Sequence, residues 1–344
     1  MLLLGSTHVE RGRVLIWAGL RTGLVFGALA AAALAAGQPQ RTLPMAIGCV
    51  FVAFAEAGED IGRRWRTMAW VTLWLMLAAG TGVLLSELPW LGVPASMTVA
   101  LVGGVAGVSG PRAAVGGMLT LVAFTIFLGA PQLPSTAVEN MLLVGLAGFV
   151  ITLVTIGPHV LRHPGSLRRS LQPVPGLWER IRPRLTTDDP FVRHGIRLAG
   201  LIGIATIIAD LSGVDHAYWL PMTIAWVTKP DPDGTVSRVA GRIVGTILGL
   251  AACAILLLPG YVSGFGAVAV CSIAAGIIVA FVAANYSVAV GAITVLVVTL
   301  FAIDGDSVTT EIDVRLLTTI VAAVMTVAAS FIWRLPERPQ PGKD

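Results

Sequence analysis

Charge is scarce in this chain. Lys, Arg, Asp and Glu make up 12% of its 344 residues, about half the share found in soluble domains, so a fully hydrated surface cannot be built from it. Cysteine is scarce as well. Cys49, Cys253 and Cys271 each lie inside an apolar run with no partner at metal-ligand spacing, which excludes a disulfide framework. The five histidines, His8, His159, His163, His194 and His216, fall at segment ends or in loops and form no ligand cluster. The sequence has no Gly-x-x-x-x-Gly-Lys loop, no His-Glu-x-x-His helix and no paired carboxylates inside an apolar run. Nucleotide hydrolysis and zinc-peptidase chemistry therefore have no sequence basis. The chain reads as a protein that is not an enzyme and needs no cofactor or metal.

What fills the sequence instead is hydrophobic runs and glycine. Segments long enough to cross about 30 Å of hydrocarbon read as helices, because lipid offers open backbone groups no partner. They fall at about 14–36, 43–57, 67–86, 93–109, 112–130 and 138–157, and again at about 194–212, 217–228, 239–258, 264–283, 286–303 and 313–333. The first run ends Ala33-Leu34-Ala35-Ala36, which imitates a signal-peptidase site. Arg21 interrupts its core, however, and Arg197 interrupts a matching run mid-chain, so the segment is expected to be a retained helix.

The chain also repeats itself. Arg21 is echoed by Arg197, Leu43-Pro44-Met45 by Leu220-Pro221-Met222, Val115-Gly116 by Val290-Gly291 and Leu142-Leu143 by Leu316-Leu317. An offset that stays between 174 and 177 residues over most of the length marks a tandem duplication. Six spans per repeat keep both repeats in the same orientation, related by an axis along the membrane normal. The expected fold is an all-α polytopic membrane protein of about twelve transmembrane helices, arranged as two parallel six-helix repeats. The expected units are a first repeat at 1–157, a basic cytoplasmic linker at 158–192, a second repeat at 193–333 and a cytoplasmic tail at 334–344.

Basic residues orient this arrangement. With the N-terminus inside, 19 of the 23 Lys and Arg fall on the cytoplasmic side, whereas Arg41 is the one basic residue of the outer loops, which include the acidic stretch Asp304, Asp306, Glu311, Asp313. This bias predicts cytoplasmic N- and C-termini in a plasma membrane. The net charge of +4 is then a topology signal rather than a sign of nucleic-acid binding. The partners expected are the lipid bilayer, a small organic anion and, since a duplication either replaces or accompanies a dimer, a second copy of the chain.

Charges inside apolar runs are costly and point to function. Arg21 and Arg197 lie in the first span of each half, Arg66 and Arg242 at matching ends of the third, and Arg315 in the last. Guanidinium groups match carboxylates, so these five predict a positively lined anion path between the repeats. Snorkelling to lipid phosphate is the plainer use of such arginines. Glu56 and Asp210 are the candidates for proton coupling. Tyr218 and Trp219 stand at the mouth of the eighth span as an interfacial anchor or a stacking platform. The second span of each half is short and carries a proline, the best sequence pointer to a binding site. Gly241, Gly245 and Gly249 form a small-residue stripe of the kind that packs helices.

Tyr218-Trp219-Leu220-Pro221-Met222-Thr223, the turn Pro230-Asp231-Pro232-Asp233, Arg238, and Arg242-x-x-Gly245-Thr246-x-x-Gly249 together resemble the fusaric acid resistance family. That family includes aromatic acid exporters, and the plant aluminium-activated malate channels are similar at a greater distance. The resemblance covers 194–333; the first half keeps Arg21 and Arg66 but lacks the Tyr-Trp and Gly-Thr pairs. The family's Arg-x-x-Asp-Thr-x-x-Gly of the last span is replaced here by Arg315 followed by Thr318-Thr319 and Ala322. The resemblance implies export of small, often aromatic, organic anions across a cell inner membrane, with Arg21, Arg197, Arg66, Arg242, Tyr218, Trp219, Pro221, Thr223 and Arg315 lining the path. A passive organic-anion channel and a non-transporting membrane scaffold or accessory subunit are the alternatives.

Overall fold

The computed structural model describes residues 10–55, 61–130, 132–163, 181–260, 262–305 and 307–331. Among them there is no strand. The first half holds α1 (Ile16–Ala35), α2 (Thr42–Phe54), α3 (Ile61–Leu85), α4 (Pro89–Val105), α5 (Pro111–Gly129) and α6 (Ala137–Arg162). The second holds α7 (Pro190–Ser212), α8 (Trp219–Val227), α9 (Pro232–Leu257), α10 (Gly264–Phe281), α11 (Tyr286–Asp304) and α12 (Val308–Ser330).

Ten of these helices are long and apolar enough to cross a membrane. The expected count of twelve spans is therefore corrected to ten by length and composition. The exceptions are α2 and α8, whose 13 and 9 residues reach only about 20 and 14 Å at 1.5 Å per residue. They need not span, because both are enclosed: every residue of α8, and all of α2 but Leu43, is buried. Local chemistry stops α8 early. Thr228 turns extended, Pro230 cannot continue the ladder, and Asp231 starts α9 by accepting from the Gly234 N–H at 2.6 Å, with Pro232 in the first turn.

Contacts in one half have counterparts in the other. α3 packs on α5 and α6 as α9 packs on α11 and α12; α2 packs on α6 as α8 packs on α12. The halves join by exchange: α1 lies on α10, and α7 lies on α4. Both seams are glycine against glycine. A Cβ placed at Gly19 would stand 2.5 Å from the Gly276 carbonyl oxygen, and one at Gly104 would stand 2.5 Å from the Gly195 Cα. In a bilayer, where lipid tails are as apolar as leucine, such close backbone approach is what holds helices together. The Gly245–Gly249 stripe serves the same end against Gly291 and Thr294 of α11.

Gly104→Val should therefore destabilise the protein by about 1–3 kcal/mol through overpacking against backbone that cannot yield. Gly200→Ala on α7, where nothing stands within 4 Å of an added Cβ, should be neutral or slightly stabilising. Thermal unfolding of the two variants in detergent checks the contrast.

A candidate anion site in the second half

At one end of the bundle the ends of α5, α7 and α11, the starts of α2, α6 and α12 and the turns that precede α2 and α8 surround a cavity of about 830 Å³. Its wall draws on both halves, from Arg41, Gln132, Glu139 and Asn140 to Asp210, Asp215, His216, Tyr218, Asp304 and Glu311. Arg41 donates to Glu139 at 2.6 Å. Asn140 donates to Gln132 Oε1 at 2.7 Å. The wall is thus acidic, not basic. This corrects the expectation of a positively lined passage between the halves. Between the halves, Trp226 of α8 meets Phe51 and Phe54 of α2 edge to face, with ring centroids 5.9 and 6.1 Å apart.

The positive charge lies beneath the cavity, inside the second half. Arg315, on α12, is fully buried, with its guanidinium carbon 4.7 Å from the centre of the Trp219 ring. Its Nε and both terminal nitrogens have no hydrogen-bond partner. Arg242, on α9, is 1% exposed. It reaches Thr223 Oγ1 with one nitrogen at 3.4 Å, and its Nε and Nη1 have no partner. The hydroxyls of Thr246, Thr299 and Thr326 are buried and unpartnered as well. Thr318 and Thr319, by contrast, donate back to Val314 and Arg315 carbonyls at 2.8 Å. Buried polar groups are almost always paired, and a guanidinium left bare far from water is expensive. Five guanidinium nitrogens without a hydrogen-bond partner thus stand beside aromatic rings, and guanidinium forks are the groups that match planar anions.

One carboxylate stands between this core and the cavity. Glu311 lies one helical turn before Arg315 on α12, so the two share a face. It is 2% exposed, and its Oε1 is 2.8 Å from His216 Nδ1. His216 has the left-handed backbone angle φ 58° and is the one non-glycine residue with positive φ among the described residues. It stacks on Trp219 with centroids 5.3 Å apart and rings 20° from parallel, and rests 4.4 Å from Phe301. This pair was missed in the sequence, where His216 is a loop residue and Glu311 an outer-loop acid. The i, i+4 spacing of Glu311 and Arg315 was the available signal.

The other expected residues fall as follows. Tyr218 is buried and lines the cavity floor, and Pro221 and Thr223 are buried in α8. Arg197 belongs to neither cavity nor core. Its guanidinium donates to the carbonyls of Lys229, at 2.6 Å, and Pro230, at 3.3 Å, which secures the α8–α9 turn. Burial there, with Arg238 adding and Asp231 opposing, pushes the Lys229 pKa down to about 8. Arg21 and Arg66 are half-buried on α1 and α3 of the first half, away from the core on α8, α9 and α12. Asp210 is exposed at the cavity wall. Glu56 lies outside the described residues.

The sequence pattern of the fusaric acid resistance protein-like family matches residues 204–329. An uncharacterized protein of Synechocystis (slr1298) is 33% identical over 162 residues, covering 45% of this chain and 20% of that protein. An uncharacterized Neisseria gonorrhoeae protein (ORF2) is 30% identical over 159 residues, 45% of this chain and 37% of the other. The inner membrane protein YccS of Escherichia coli is 28% identical over 157 residues, 46% and 22% of the two chains. The chain thus spans well under half the length of these relatives. No solved structure matches it. The matched stretch contains His216, Trp219, Thr223, Arg242, Glu311 and Arg315, and over it the chain is similar to the fusaric acid resistance protein-like family.

Proposed function

We propose that the chain is an inner-membrane transporter that moves small organic anions, aromatic carboxylates foremost, through the arginine core of its second half. The observation that carries this reading is the pair Arg242 and Arg315. Both are buried in protein, neither faces lipid, and they share five nitrogens without partners. A scaffold has no use for such a pair, since replacing it by apolar side chains would be neutral or stabilising. Trp219 under Arg315 adds a flat surface for an aromatic ring.

The architecture proposed is two six-helix repeats, 1–157 and 193–333, joined by a linker at 158–192 and followed by a tail at 334–344. The exchanged α1–α10 and α4–α7 seams support it. The crowding of basic residues at the end opposite the cavity supports cytoplasmic termini, and in that orientation the cavity opens to the outer side. An anion leaving Arg315 then enters a space edged by Asp210, Asp215 and Asp304. Like charge there favours release over re-entry, which supports export.

The first half contributes support rather than chemistry. At the offsets that align the repeats, Thr42 stands where Trp219 does, Ala46 where Thr223 does and Met141 where Arg315 does. Only Arg66 retains a charge, opposite Arg242.

Benzenesulfonate tests the reading, because it stays ionised across the working pH range and leaks little through lipid. Proteoliposomes holding the full chain should show saturable benzenesulfonate flux above empty liposomes. Flux equal to that of empty liposomes would refute the proposal. Flux that follows voltage and ignores an imposed pH gradient would assign the channel mode over a coupled pump.

A further inference from the structure

We infer that His216 and Glu311 form a proton site at the exit of the arginine core, one that binds its proton together with the transported anion. The inference rests on the transport reading above and adds a second ligand to that site.

Three observations meet here. Among the described residues Glu311 is the one Asp or Glu side chain buried within the helical core beside the arginines, and its second oxygen, Oε2, has no partner. His216 is held against it at 2.8 Å in a backbone conformation that side chains seldom adopt, and such outliers persist where the surroundings enforce them. The imidazole also lines the open cavity, so protons have access from that side. Trp219 ties the two sites together, since it touches both His216 and Arg315.

The sign follows from charge. With His216 neutral and Glu311 ionised, the carboxylate shares a helix face with Arg315 and opposes an incoming anion. One proton added to the pair removes that opposition. Anion affinity therefore rises as pH falls, and by linkage an arriving anion draws a proton onto the pair. Other charged or titratable groups face this region. They are Arg41 with Glu139, Asp210 of α7, Asp215, Tyr218, Tyr286 and Asp304 of α11, Arg242 and Cys253 of α9, and Arg315 of α12. All remain in the His216 and Glu311 variants below.

The test measures benzenesulfonate binding to the purified full chain at pH 5.5 and 8, with proton uptake followed in weakly buffered solution. The wild type should bind about tenfold more tightly at pH 5.5, within the usual span of coupling between two sites, and take up protons as the anion binds. His216→Gln/Glu311→Gln should bind with one affinity at both pH values and take up none. Glu311→Gln alone should bind at pH 8 at least as tightly as the wild type at pH 5.5, and it carries the test if the double variant fails to fold. A wild type without pH dependence, a double variant that keeps the slope, or a Glu311→Gln no tighter than wild type at pH 8 would each overturn the inference. Arg315→Gln separates the two proposals. Binding that needs Arg315 but ignores pH sinks the proton site alone, whereas binding that ignores Arg315, or no binding at all, sinks both.

Discussion

Arg315→Gln and Arg242→Gln should each lower benzenesulfonate flux by about 100-fold, with the protein folded and inserted. A fully desolvated charge pair is worth about 2–5 kcal/mol when one partner is truncated, and 100-fold lies inside that range. Glutamine keeps the length and polarity of the arginine stem and removes only the charge and the fork. Arg21→Gln and Arg66→Gln, in the first half, should leave flux within about twofold of wild type. The contrast matters more than either result. Four arginines inside apolar segments look alike on a hydropathy plot, yet only two of these lie in the protein interior of α8, α9 and α12. Equal losses in all four variants would place the path between the halves after all.

The double variant Arg242→Met/Arg315→Met should carry no flux and yet unfold at a higher temperature than wild type. Two neighbouring guanidinium groups that share one nearby carboxylate, Glu311, repel each other and have surrendered their water, and five of their nitrogens have no hydrogen-bond partner. Methionine fills similar volume without that cost, and replacing buried charges with well-packed apolar side chains has stabilised other proteins by about 1–4 kcal/mol. A structural role for the arginines predicts the opposite, a lower unfolding temperature. Thermal unfolding in detergent beside flux in proteoliposomes separates the two. The wild type should gain stability when benzenesulfonate is added, since a ligand that binds only the folded state stabilises it in proportion to its occupancy. The double variant should gain none.

Much of the helical layout was legible in the sequence. Hydrophobic runs bounded by Pro, Gly and polar turns place the helices within a few residues of their observed ends, because backbone groups in lipid leave no other choice. The short α2 and α8 were visible as well, and their burial explains why they need not span. The Gly241–Gly249 stripe read as a packing seam is one, with Gly245 and Gly249 against α11. The site was less legible. Arg197 and Arg242 are each an arginine inside an apolar helix, and nothing local tells that one reaches carbonyl groups of the Lys229–Pro230 turn while the other reaches Thr223 and keeps two nitrogens without a partner. That difference is made by tertiary contacts. The repeat also misled. Symmetry of sequence suggested a symmetric path along the axis, whereas the polar core follows Trp219, Thr223, Thr246 and Arg315, whose counterparts in the first half are not charged. His216 and Glu311 are 95 positions apart, and only the packing of α12 beside α8 brings them together.

The most direct measurement is the position of a heavy-atom anion in crystals of the full chain. 4-Bromobenzenesulfonate should give an anomalous bromine peak in the second half, against Trp219, with its sulfonate between Arg242 and Arg315. A peak confined to the groove between the halves, or an arginine core that stays closed and empty while the anion is transported, would contradict an anion path through that core.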